Sequence, residues 1–179
     1  REGLAELFMG ELKKAEGENN HAQVVYSESM IKQYGASNYA SFLKGDGFLT
    51  LDTDPPGAEV WLYRYAEVDR VLRPVDARRL GVSPVMDVRL PRGSYLVVLR
   101  APGYRDVYYP LRLNRLETWR ARVKLYTHAR IGDGFVYIPG GPFTLGGDLE
   151  AIDALEQEIR TTEDFAIQEF SVTFREYTE

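Results

Sequence analysis

The pattern of apolar and polar positions changes character twice along the chain. At the start, Leu4, Leu7, Phe8 and Leu12 recur at helical spacing with Glu and Lys between them, which predicts an amphipathic helix. Gly17 falls where that helix would stop. Asn20, followed three residues later by Gln23, resembles a capping box that opens a second helix. This second helix is expected to turn Ala22, Val25 (or Tyr26), Met30 and Ile31 inward and to reach Tyr34, with Gly35 as its C′ residue. Tyr39, Phe42 and Leu43 suggest a further turn or two. Residues 1–45 thus read as a helical hairpin and connector.

Residues 46–126 switch to period two. Trp119, Ala121, Val123 and Leu125 alternate with Arg120, Arg122 and Lys124, which puts one strand face on a core and the other in water. Val107, Tyr109, Leu111 and Leu113 repeat the pattern, as do Tyr95, Val97 and Leu99. Shorter examples are Leu49 with Leu51, Val60 with Leu62, and Met86, Val88 and Leu90. Pro and Gly breakers separate these runs, and Pro110 inside one of them marks an edge strand or a bulge. Six or seven short strands at this spacing predict a small antiparallel β-sandwich.

Residues 127–179 change again. Phe135–Ile138 and Phe143–Leu145 flank a Pro-Gly-Gly-Pro turn and read as two strands. An acidic helical stretch is expected next, with Leu149, Ile152, Leu155 and Ile159 on one face. Phe165 and Ile167 then predict a strand, and Phe170, Val172 and Phe174 another on the opposite parity. The fold class expected is mostly β, α+β in all, with an α-helical hairpin in front.

The formal net charge is −5, yet residues 61–130 carry 15 basic against 6 acidic side chains, so a basic centre sits between acidic flanks. Such a centre either attracts an anionic partner or lines solvated strand faces that draw in the flanks. The absence of cysteine removes disulfides, thiolate metal sites and cysteine nucleophiles from these residues, and fits a reducing compartment. No apolar run reaches the roughly 20 residues needed to span a bilayer as a helix. The chain opens on Arg1 and stops at Glu179 after an apolar-patterned run, so it reads as a piece of a longer protein.

Candidate chemistry is sparse. Gly141–Asp148 has nearly the glycine spacing of a phosphate loop but lacks its Lys and Ser/Thr, and reads as a hairpin turn. His21 and His128 have no partner cluster, and Asp52 and Asp54 flank a turn. Glu150, Asp153, Glu156, Glu158, Glu163 and Asp164 make a solvated acidic face. Trp61, Tyr63 and Tyr65 lie on the strand face opposite Val60 and Leu62, where they either hold a sugar or peptide or pack beneath a neighbouring domain. No catalytic residue, cofactor or metal ligand is assigned.

Two stretches resemble known families. Asp54-Pro55-Pro56-Gly57-Ala58-Glu59-Val60, Leu80–Pro84, Leu90–Tyr95 and Ala101–Tyr104 follow one another as the turn landmarks of the PEGA domain do, with Pro56 where the family name has Glu. Phe135–Gly146, then Phe165–Thr173 and Phe174–Tyr177, resemble the opening of the formylglycine-generating-enzyme (sulfatase-modifying-factor) family. That resemblance implies the first strands and helix of a truncated C-type-lectin-like domain over 127–179, behind a PEGA-like domain over 46–126. The family's catalytic cysteines and its copper and calcium sites lie later than Glu179, so none is carried over. The order of segments resembles the C-terminal half of certain bacterial serine/threonine kinases. It implies a non-catalytic accessory or ligand-sensing region; the alternative is the front end of an active formylglycine-generating enzyme. Implied partners are other domains of the same protein and a protein or carbohydrate ligand, with no nucleic acid. The location implied is cytoplasmic, with an envelope-facing one as the alternative.

Overall fold

A computed structural model describes residues 2–18, 20–35, 38–147, 152–153 and 155–178. The chain divides into two compact units. One comprises residues 1–48, 89–92 and 114–117, and the other residues 49–88, 93–113 and 118–179.

In the first unit, helices α1 (Glu2–Gly17), α2 (His21–Gly35) and α3 (Ala40–Lys44) follow the expected order. Asn20 caps α2, its Oδ1 accepting the backbone N–H of Gln23 at 3.1 Å. The reciprocal half of the capping box does not form. The Asn20 N–H already donates to the Ala15 carbonyl, and the Gln23 amide turns to Glu11 at 3.3 Å. The buried faces also differ from the expected ones. Ala5, Leu12 and Ala15 of α1 are buried with Ser27 and Ile31 of α2, whereas Leu4, Leu7, Val25 and Tyr26 are exposed and Ala22 is open to solvent. Three of the five buried residues are small, which lets helix backbones approach and leaves the longer side chains at the edge of a seam. Phe8 works at that edge, its ring 6.0 Å from Tyr26 and 6.2 Å from Tyr34. Gly35 ends α2 without a left-handed φ, correcting its assignment as C′. It is required for space instead, since a Cβ there would lie 2.5 Å from the Tyr39 ring.

Arg115, on the loop Asn114–Glu117, is the centre of charge in this unit. Its side chain is only 4% exposed and pairs with Glu16 at 2.9 Å and Glu28 at 2.5 Å. It also donates to the carbonyls of Phe42 and Leu43 at 2.6 and 3.1 Å. Arg92 reaches the same two carboxylates at 3.3 and 2.6 Å. Two arginines of the basic centre thus meet two acids of the N-terminal flank.

The second unit carries most of seven strands: β1 (Gly47–Asp54), β2 (Glu59–Val68), β3 (Val71–Val82), β4 (Val85–Leu90), β5 (Gly93–Arg100), β6 (Val107–Leu113) and β7 (Thr118–Lys124). They form a three-stranded sheet, β4-β1-β7, and a four-stranded sheet, β3-β2-β5-β6. The expected register holds. Leu49, Leu51, Val60, Leu62, Val97, Leu99, Val107, Leu111, Leu113 and Val123 are buried, while Arg120, Arg122 and Lys124 are exposed. Trp119, Ala121 and Val88 are half-buried. β6 is the edge strand that Pro110 announced.

Three expectations fail in this unit. Met86 is 64% exposed and Val85 is buried in its place. Asp87 adopts φ 48°, and that break in the alternation lets Val85 and Leu90, five positions apart, both face inward. β5 does not alternate, because Leu96 and Val98 are buried along with Tyr95, Val97 and Leu99. Strand β3 was not foreseen. It has no period-two pattern, and its pairing with β2 shifts register at two places.

Beyond β7 come α4 (His128–Ile131), β8 (Phe135–Ile138), β9 (Gly141–Leu145), β10 (Glu158–Thr162), β11 (Phe165–Gln168) and α5 (Phe174–Thr178). The two strands around the glycine turn exist, but they do not pair with each other. β8 pairs with β11 and β9 with β10. Gly140 allows the split, since a Cβ there would sit 2.7 Å from the Thr162 carbonyl oxygen. Leu149 and Glu150 of the expected acidic helix lie outside the described residues. Ile152 and Leu155 are exposed, and Ile159 lies in strand β10 rather than on a helix. The expected strand through Phe170, Val172 and Phe174 is replaced by an irregular stretch and α5.

Candidate ligand surface

Trp61, Tyr63 and Tyr65 alternate along β2, as their spacing predicts, and all three are half-buried. Trp61 stands across from Val98 and Tyr63 across from Leu96 on β5, which stand in turn across from Tyr108 and Pro110 on β6. The outward face of the four-stranded sheet is therefore two cross-strand rows of large apolar side chains rather than a solvated surface. Ion pairs close one end of these rows. Glu59 takes the Arg79 guanidinium at 2.7 Å and the Trp61 indole N–H at 3.4 Å, and Arg100 pairs with Asp106 at 2.9 Å. The Trp61 hydrogen bond, followed by the Arg79 hydrogen bond and charge, holds the Glu59 carboxyl below its ordinary pKa. At the other end Tyr65 enters a groove of about 330 Å³ with Leu72, Ser94, Pro110 and Arg112, whereas Trp61 and Tyr63 do not line it.

A larger cleft, about 420 Å³, opens beside the edge strand β6. Tyr108, Tyr109 and Trp119 form one wall, and Pro139, Pro142 and Phe143 are among the residues of the other. The Trp119 indole donates to the Tyr109 hydroxyl at 3.3 Å, tying the edge of one sheet to the other, and burial raises the Tyr109 phenol above its ordinary pKa. Asp164 holds the far wall. It accepts the Gly140 N–H at 2.7 Å and the Tyr126 hydroxyl at 3.2 Å. Tyr126 packs edge-on against the buried Tyr137, the ring centroids 4.9 Å apart. Burial, with the Asp164 charge nearby, raises the Tyr137 phenol as well. Arg105 fastens the chain before β8 by donating to the carbonyls of Gly132 and Phe135.

The cleft was not foreseen. Tyr109 and Trp119 were assigned to core strands, and the one available signal was Pro110, which marks an open sheet edge next to an aromatic residue. Asp164 was taken for part of a solvated acidic face and is a structural anchor. The Gly141–Asp148 stretch is strand β9 through Leu145, and Asp148 lies outside the described residues. His21 and His128 are exposed. Asp52 accepts the Thr53 N–H at 2.8 Å and Asp54 faces Arg122 at 3.8 Å. Among the described residues no three His, Asp or Glu side chains group as metal ligands would.

The PEGA domain family matches residues 74–128, which run from within β3 to the start of α4. This matched segment contains the edge strand β6 and the Tyr108–Trp119 wall of the cleft. No curated protein matches the chain.

Proposed function

We propose that this chain is a non-catalytic accessory region that presents a ligand-holding surface within a longer protein. The cleft between Tyr109, Trp119 and the Pro139–Phe143 segment carries this reading, because it sets ring faces and free phenol donors beside a sheet edge without a charged side chain among its lining residues. Such a lining suits a neutral peptide or carbohydrate chain, whose apolar faces stack on aromatic rings. The PEGA match supports an accessory module, and it favours an envelope-facing position over a cytoplasmic one. The arrangement as part of a signalling serine/threonine kinase rests on the order of segments alone. The second reading, the front end of an active formylglycine-generating enzyme, rests on the resemblance of Phe135–Gly146 and Phe165–Thr173 alone.

The two tryptophans give a direct test. Titration with neutral oligosaccharides and with proline-rich peptides should change the fluorescence of the chain saturably, and Trp119→Phe should remove the change. A response that depends on Trp61 alone would move the site to the sheet face. No response to either ligand class would overturn the reading.

A further inference from the structure

Strands β2 and β3 continue past the end of their sheet as a two-stranded ribbon that closes on the turn Asp69-Arg70, where both residues have left-handed φ. Past the buried Leu62, β2 presents Arg64, Ala66 and Val68 on one face. Their ladder positions place Arg78, Val75, Arg73 and Val71 of β3 on that same face, opposite Leu62, Arg64, Ala66 and Val68 respectively. The face thus holds three arginines and a run of aliphatic side chains, with no carboxylate at any ladder position; Glu67 lies on the reverse side, opposite Leu72. Arg64, Arg73 and Arg78 are exposed, and among the described residues none of them is engaged in an ion pair, unlike Arg79, which pairs with Glu59. At the tip Val68 and Val71 on this face are 39% and 51% exposed, and Leu72 on the reverse side is 69% exposed.

We propose that this ribbon face is a contact for a membrane surface bearing anionic phospholipid. Like charges at diagonal cross-strand positions repel, so three unpaired arginines in such a line call for anionic groups from outside the chain. The aliphatic residues select the kind of anion. A tip of valine and leucine offers no stacking face to a nucleic acid base. It does fit the boundary between headgroups and acyl chains, where aliphatic side chains enter and arginine stems lie along them with their guanidinium groups on phosphates. The contact is peripheral and requires no spanning segment.

Co-sedimentation of the chain with phosphatidylcholine vesicles, with and without phosphatidylglycerol, tests the proposal. The chain should sediment only with the anionic vesicles and be released by salt. The double variants Arg64→Glu/Arg73→Glu and Val71→Asp/Leu72→Asp should each weaken the partition by roughly tenfold or more. All four positions are exposed, so circular dichroism should show both variants folded. Three results would overturn the inference: no sedimentation, equal sedimentation with vesicles lacking phosphatidylglycerol, or full retention by the Val71→Asp/Leu72→Asp variant. Full retention by that variant, with release by inorganic phosphate, would mark a site for free phosphate and not for a lipid surface.

Discussion

The hydroxyl of Ser83 accepts the backbone N–H of Gly57 at 3.0 Å, joining two turns that lie 26 residues apart in sequence. The same oxygen accepts the Ala58 N–H at 3.1 Å, and Thr53 lies within hydrogen-bond reach of it. Thr53 gives its own proton to the Pro55 carbonyl at 2.8 Å, so the proton between the two hydroxyls comes from Ser83. Gly57, with φ 100°, takes a conformation that turns its N–H toward this buried oxygen without a side-chain penalty. The Asp54–Gly57 and Ser83–Pro84 landmarks are therefore the two halves of one polar node.

Ser83→Ala should destabilise the chain by about 1–3 kcal/mol, because it leaves the buried Ala58 N–H without its acceptor, whereas the Gly57 N–H keeps the backbone carbonyl of residue 83 at 3.2 Å. Urea unfolding measures the loss, and hydrogen exchange should locate it at Ala58. An unchanged midpoint would mean that water replaces the hydroxyl.

Arg115→Ala should cost about 2–3 kcal/mol through the loss of its hydrogen bonds to charged and carbonyl groups. Arg92 remains on both carboxylates, which keeps the cost below that of two orphaned charges. Arg115→Lys should recover less than half of the loss in the same unfolding experiment, since an ammonium cannot spread over two carboxylates and two carbonyls at once.

Trp119→Ala should destabilise the β-rich unit by about 2–3 kcal/mol, less than the roughly 3–5 kcal/mol for a fully buried tryptophan, because the side chain is half-buried. Trp119→Phe should retain most of the stability. Thermal unfolding of the two variants beside the parent chain separates ring burial from the hydrogen bond to Tyr109.

Stability should fall at alkaline pH. Tyr109 and Tyr137 both have phenols raised above the ordinary value of 10.0, so the folded state holds their protons more tightly than the unfolded chain does. Their contribution is fully present below about pH 10 and is lost as the pH climbs from there through the raised folded values. Unfolding midpoints across this range, read with phenolate absorbance, should show the fall, and Tyr109→Phe with Tyr137→Phe should flatten it.

Asp164→Ala should loosen the far wall of the cleft. Hydrogen exchange should rise across residues 139–145 while β5 and β6 keep their protection, since the Gly140 and Tyr126 bonds are removed. Equal loosening of β5 and β6 would show that this wall is integral to the main sheets.

Period-two alternation in residues 107–113 and 119–125 was enough to assign strands and most of their inward residues, because burying one face of a strand dictates which side chains must be apolar. Turn chemistry was equally legible: Gly57 and Gly103 stand in left-handed conformations where their Pro-Gly dipeptides required them. Local pattern could not register contacts between residues far apart in sequence. The inner face of α1 was set by small residues that admit a partner helix, so Ala5 and Ala15 displaced the longer Leu4 and Leu7. A left-handed Asp87 exchanged Met86 for Val85, and register shifts hid β3 from any periodic reading. The cleft depends most on tertiary structure. Tyr109, Trp119, Gly140 and Asp164 come together only because an edge strand leaves one side of the sheet open to the chain that follows, and each of them in sequence is an ordinary core, turn or surface residue.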